Sequence, residues 1–66
     1  MKVLVNGEDR EVKRGETVRS LIEAMGLGQG ACAAEINKVL VPRREHDAKL
    51  LQEGDRVEIV SLVGGG

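Results

Sequence analysis

A chain of 66 residues holds one domain, and a domain of that size buries only about 60% of the surface its unfolded chain exposes. Its core must be aliphatic, because Phe, Tyr and Trp are absent, and so small a core leaves too little wall for a pocket around a large organic cofactor. Ten basic against eleven acidic residues give a net charge of −1, which argues against a nucleic-acid partner, and no apolar run approaches the ~18 residues of a membrane helix.

The opening "MKVLVNGEDREVKR" reads as a β-hairpin. Val3 and Val5 point to one side and Leu4 to the other, with a tight turn at Asn6-Gly7. The return strand is expected over Glu11 to Lys13, polar enough for a sheet edge. The chain enters this strand with no apolar leader, so no signal segment is expected.

The period then changes. In "TVRSLIEAMGL", Val18, Leu21, Ile22 and Met25 fall at i, i+3, i+4 and i+7, one face of a helix. Thr17 is the expected N-cap, Gly26 the left-handed residue that ends the helix, and Leu27 the side chain that folds back on its last turn. Arg19 and Glu23 are spaced to pair on the wet face.

After "GLGQG", a flexible connection, "ACAAEI" and "VLVP" read as a second hairpin about Asn37-Lys38, with Asn37 at positive φ. Pro42 ends its second strand because it has no N–H for the ladder. "RREHDAKLL" is an irregular or short helical crossing expected to bury both Leu50 and Leu51. "EGD" then turns the chain into "RVEIVSLV", where Val57 and Ile59 face the core.

Strand, strand, helix, strand, strand, crossing, strand is the order of an α+β β-grasp fold. In it a mixed sheet of about five strands carries one main helix on one face, with the last strand parallel to the first. Residues 1–63 form this domain, and residues 64–66 form a flexible glycine tail.

Few side chains here invite catalysis. His46 has only Glu45 and Asp47 beside it, which need not converge, so no metal site is expected and a solvated loop position is. Cys32 lies among small apolar residues with no base nearby and reads as a small buried hydrophobe. A lone cysteine closes no internal disulfide, in keeping with a reducing cytoplasm. "GLGQG" follows a helix and lacks the lysine and hydroxyl of a phosphate loop. The basic pairs Lys13-Arg14 and Arg43-Arg44 read as solvated surface.

The end of the sequence is different. An apolar strand runs directly into Gly64, Gly65 and Gly66, with Val60 and Leu62 on the face opposite Val57 and Ile59. Val60, Leu62 and Val63 form a candidate docking patch beside a tail without side chains, which reaches roughly 10 Å when extended.

Taken together, "VNGE", "GETVRSLIEAMGL", "INKVLVPR", "LQEGDRVEIV" and the terminal "GGG", in that order over essentially the whole chain, resemble the ThiS family, the ubiquitin-like sulfur carriers of thiamine biosynthesis. One position departs, His46 standing where family members often carry an aromatic, commonly Trp. The resemblance implies a protein co-substrate and not an enzyme. The Gly66 carboxylate would be adenylated by a ThiF-like activating enzyme with its own ATP and Mg²⁺, and sulfur from a persulfide donor would convert it to a thiocarboxylate (1-thioglycine). A ThiG-like thiazole synthase would take that sulfur, with Gly64 and Gly65 threading its channel. No cofactor bound to the chain itself, no nucleic-acid or membrane partner, and a monomeric free state are expected. Two alternatives stay open: a MoaD-like carrier for molybdopterin or another sulfur-transfer pathway, and a ubiquitin-like modifier or interaction domain.

Overall fold

The structure, a computed structural model, describes residues 1–27 and 32–61. Residues Leu62, Val63, Gly64, Gly65 and Gly66, and residues 28–31 (the last three of "GLGQG" and Ala31), lie outside the described residues.

Asn6-Gly7 sets the first hairpin. Both residues take positive φ, 50° and 86°, as a two-residue hairpin turn requires, so pairing resumes at once with Val5 opposite Glu8. The strands are β1 (Lys2–Val5) and β2 (Glu8–Glu11), which places the return strand three residues earlier than the expected Glu11 to Lys13. Val12 then leaves the edge and enters the core, its N–H donating to the Met1 carbonyl at 2.7 Å.

Helix α1 (Val18–Ala24) begins at the expected cap. The Thr17 hydroxyl accepts from the Ser20 N–H at 3.1 Å, and the Ser20 hydroxyl accepts from the Thr17 N–H at 2.8 Å. The other free donors of the first turn reach the crossing segment: Val18 N–H meets the Lys49 carbonyl, and Arg19 N–H the His46 carbonyl, each at 3.0 Å. At the far end Gly26 takes φ 80°, its N–H bonds the Glu23 carbonyl, and Leu27 N–H bonds the Ile22 carbonyl. That pair of bonds is a Schellman motif, and it returns Leu27 to the core as expected. Arg19 pairs with Asp47 of the crossing at 3.2 Å and not with Glu23.

The second hairpin joins β3 (Cys32–Ile36) to β4 (Val39–Val41). Asn37 has the expected positive φ, and Lys38 joins it at 71°. After Pro42 a single 3₁₀ turn (Arg43–Glu45) starts the crossing, and β5 (Arg56–Ser61) completes a five-stranded sheet of order β2-β1-β5-β3-β4. β5 lies parallel to β1 and antiparallel to β3, so the last strand sits mid-sheet. Val3, Val5, Cys32, Ala34, Ile36, Val41, Val57 and Ile59 face Val18, Leu21 and Ile22 of the helix in one aliphatic core. This is the β-grasp arrangement.

Two expectations about the crossing are corrected. Leu50 and Leu51 do not both turn inward: Leu51 is buried, while Leu50 is 53% exposed. Leu50 forms an extended bridge with Thr17, and adjacent residues of extended chain point to opposite sides. His46 is not a solvated loop residue but is 3% exposed, with its Nε2 3.1 Å from the Val41 carbonyl. A carbonyl can only accept, so Nε2 carries the proton, and the ring pins the crossing beneath β4. Cys32 is buried as expected, its thiol 3.6 Å from the Leu27 carbonyl.

Candidate functional site

Burial fixes the direction of the side chains of β5 from Arg56 to Val60. Val57 and Ile59 pack under α1, so Arg56, Glu58 and Val60 stand on the opposite, uncovered face of the sheet. Val60 is 56% exposed, on the face the sequence pattern assigned to it. The rest of the expected docking patch, Leu62 and Val63, and the tail residues Gly64, Gly65 and Gly66 lie outside the described residues.

Two asparagines hold the strand that leads to the tail. Asn6, in the first turn, accepts from Ile59 N–H through Oδ1 at 2.9 Å and donates from Nδ2 to the Ile59 carbonyl at 3.2 Å. Its carboxamide thus extends the β1 ladder beyond the last backbone residue of that strand. Asn37, in the second turn, accepts from Arg56 N–H at 3.0 Å, and its own N–H donates to the Arg56 carbonyl at 2.8 Å. Each turn was legible as a turn; that both side chains then grip β5 was not, because pairing across more than 50 residues in the case of Asn6 depends on the sheet order.

The register brings further residues onto the uncovered face. Ala33 lies opposite Val60, Glu35 opposite Glu58 on β5, and Glu35 opposite Leu40 on β4. Leu40 is 61% exposed. That Ala33 lies opposite Val60, and that Leu40 shares this face, was not legible in the sequence. Alternation within "VLVP" marks Leu40 as facing away from Val41, but only the strand order sets it on the same face as Val60. Among the described residues no group of three or more His, Cys, Asp and Glu side chains converges to hold a metal ion, and no helix is long and apolar enough to cross a membrane.

The chain as a whole has counterparts in known proteins. The family model of the ThiS family matches residues 3–66. The chain belongs to the ThiS family. It is 30% identical to the sulfur carrier protein ThiS of Escherichia coli (strain K12) over the whole length of both. The crystal structure of the thiamine biosynthesis protein ThiS from Geobacter metallireducens superimposes with a TM-score of 0.78 at 31% identity, again over all of both chains. A thiazole synthase of Magnetococcus marinus is 38% identical over all 66 residues, yet the chain spans only 20% of that protein, and it spans the same share of a second thiazole synthase. A ThiS-like segment therefore occurs within one polypeptide with a protein of that name. The relative matched over the whole of both chains is the one named as a sulfur carrier.

Proposed function

We propose that this protein carries sulfur for thiazole formation in thiamine biosynthesis, with the α-carboxylate of Gly66 as its working group. What supports the reading most is the match, along its full length, to a protein named as a sulfur carrier, together with a similar segment inside thiazole synthases. A carboxylate is a poor acylating group until one oxygen becomes a good leaving group. The carboxylate therefore attacks the α-phosphate of ATP, releasing pyrophosphate and forming an acyl-adenylate. Bringing an anion to a polyphosphate is repulsive, so the ThiF-like partner supplies the compensating Mg²⁺ and basic side chains.

A persulfide then attacks the acyl carbon and AMP leaves. A thiol cleaves the resulting S–S bond, becoming half of a disulfide, and the thiocarboxylate remains on Gly66. A ThiG-like synthase accepts that sulfur. Gly64 and Gly65 let the chain enter a narrow channel that a Cβ would widen. Val60, with Leu62 and Val63, docks the domain against each partner in turn. The chain binds no cofactor of its own, and a reducing cytoplasm keeps Cys32 a free thiol.

The test is intact mass spectrometry after incubation with ATP, the activating enzyme and a persulfide source. One oxygen-for-sulfur exchange, localised to the peptide ending at Gly66, is expected. No mass gain with an enzyme that demonstrably turns over ATP rejects the proposal. The mass of the protein isolated from its host shows in the same experiment whether Gly66 is its last residue.

A further inference from the structure

The geometry points to Asn6 as a site of spontaneous deamidation, guarded by its clasp on Ile59, whose product releases the end of β5. The nucleophile is the backbone nitrogen of Gly7, and the one co-reactant is water.

A two-residue hairpin turn wants positive φ at both central residues, and Asn6 and Gly7 supply it at 50° and 86°. The pair that suits the turn is also chemically labile, since asparagine is among the thermolabile residues. Glycine in second place leaves the attacking nitrogen unshielded by a side chain, and both residues are exposed. The chain has one other asparagine, Asn37, and the longer Lys38 follows it. Once base removes its proton, the Gly7 nitrogen bonds to Cγ of Asn6 and Nδ2 leaves as ammonia, closing a succinimide. Water then opens the ring at either carbonyl, giving aspartate or isoaspartate. The net change is O for NH, with nothing oxidised or reduced.

Attack requires Cγ to swing onto the Gly7 nitrogen, and the folded protein holds the carboxamide at both ends. Oδ1 accepts from Ile59 N–H at 2.9 Å and Nδ2 donates to the Ile59 carbonyl at 3.2 Å, while the Asn6 N–H donates to the Val57 carbonyl at 2.8 Å. The reaction therefore waits for the end of β5 to let go, a local opening that costs less than unfolding the core. Reclosing does not restore the clasp. An ionised aspartate has only acceptors, so an oxygen replaces the donor that faced the Ile59 carbonyl. Isoaspartate routes the backbone through Cγ and adds a carbon to a turn in which Val5 must meet Glu8. Either product loosens the strand that leads to the glycines.

The test incubates the folded protein, and the same chain in guanidinium chloride, in one mildly alkaline buffer and follows the exchange by peptide mapping. Conversion is expected at Asn6 well ahead of Asn37, and about tenfold or more slowly in the folded protein than in denaturant. Converted protein, separated by anion exchange through its added negative charge, should exchange the Ile59 amide about tenfold or more faster than unconverted protein, with Leu21 changed far less. Equal rates in the two buffers would show that the clasp guards nothing and overturn the inference. So would Asn6 left intact in the folded protein, Asn6 and Asn37 converting alike, or converted protein whose Ile59 amide exchanges as before. No partner enzyme enters these measurements, so their failure leaves the carrier reading standing.

Discussion

On β5, Val57 and Ile59 disappear beneath the helix while Glu58 and Val60 stand in solvent, and the same alternation divides β3 into Cys32, Ala34 and Ile36 against Ala33 and Glu35. The covered face is specified by volume. With no aromatic residue available, its aliphatic side chains must meet closely, and each has one workable direction. On the uncovered face solubility is the only demand the fold makes, and charged residues would satisfy it everywhere. Leu40 and Val60 are nonetheless exposed there, and Glu35 lies opposite Glu58. The contrast separates what holds the protein together from what it presents.

Substitutions can break that separation or sharpen it. The largest effect is expected at Leu21, fully buried at the centre of the helix face. Leu21→Ala removes both transfer energy and packing and should cost about 2–5 kcal/mol, enough to lower the melting temperature by more than ~10 °C in so small a domain. Thermal unfolding followed by circular dichroism reads it directly. A loss below about 1 kcal/mol would mean that the aliphatic core is looser than its burial implies.

A middle-sized effect belongs to the junction between the faces. Asn6→Gly keeps the positive φ of the turn but deletes both bonds to Ile59, at a cost of about 1–2 kcal/mol. Hydrogen exchange at Ile59 should accelerate far more than exchange at Val3 or Leu21, because only the end of β5 loses its hold. Uniform acceleration would show that Asn6 matters to the hairpin and not to the strand leading to the tail.

The smallest effect on stability is expected at Val60. Val60→Ala should change the unfolding free energy by less than about 0.5 kcal/mol, yet weaken binding to the activating enzyme. A drop in melting temperature comparable with that of Leu21→Ala would place Val60 among the residues that hold the fold and dissolve the distinction between the faces.

Much of the covered face could be read from the sequence, since it depends on local periodicity. The i, i+3, i+4, i+7 spacing of Val18, Leu21, Ile22 and Met25 gave the helix, and Thr17 and Gly26 gave its ends, because caps are decided within a few residues. Strand limits depended on turn geometry, so β2 began at Glu8 and not at Glu11. His46 misled for a physical reason: its neighbours Arg43, Arg44, Glu45 and Asp47 are all charged and exposed, and nothing local shows that one ring among them turns inward to the Val41 carbonyl. Lys38 at positive φ was likewise invisible, a lysine accepting a conformation that favours glycine because the two-residue turn demands it. On the uncovered face Val60 was assigned its direction by alternation alone. Its partner Ala33, and the presence of Leu40, Glu35 and Glu58 on the same face, required the strand order, which no short stretch encodes.

The carboxylate of Gly66 is the group proposed to carry sulfur, and one comparison tests that role. The natural sequence and a version with a single alanine added after Gly66 are offered to the same activating enzyme, ATP and persulfide source, and both are weighed intact. Sulfur is expected on the first and absent from the second, whose reactive carboxylate has become a peptide bond. Equal sulfur loading of both, with the added alanine still attached, would contradict the account.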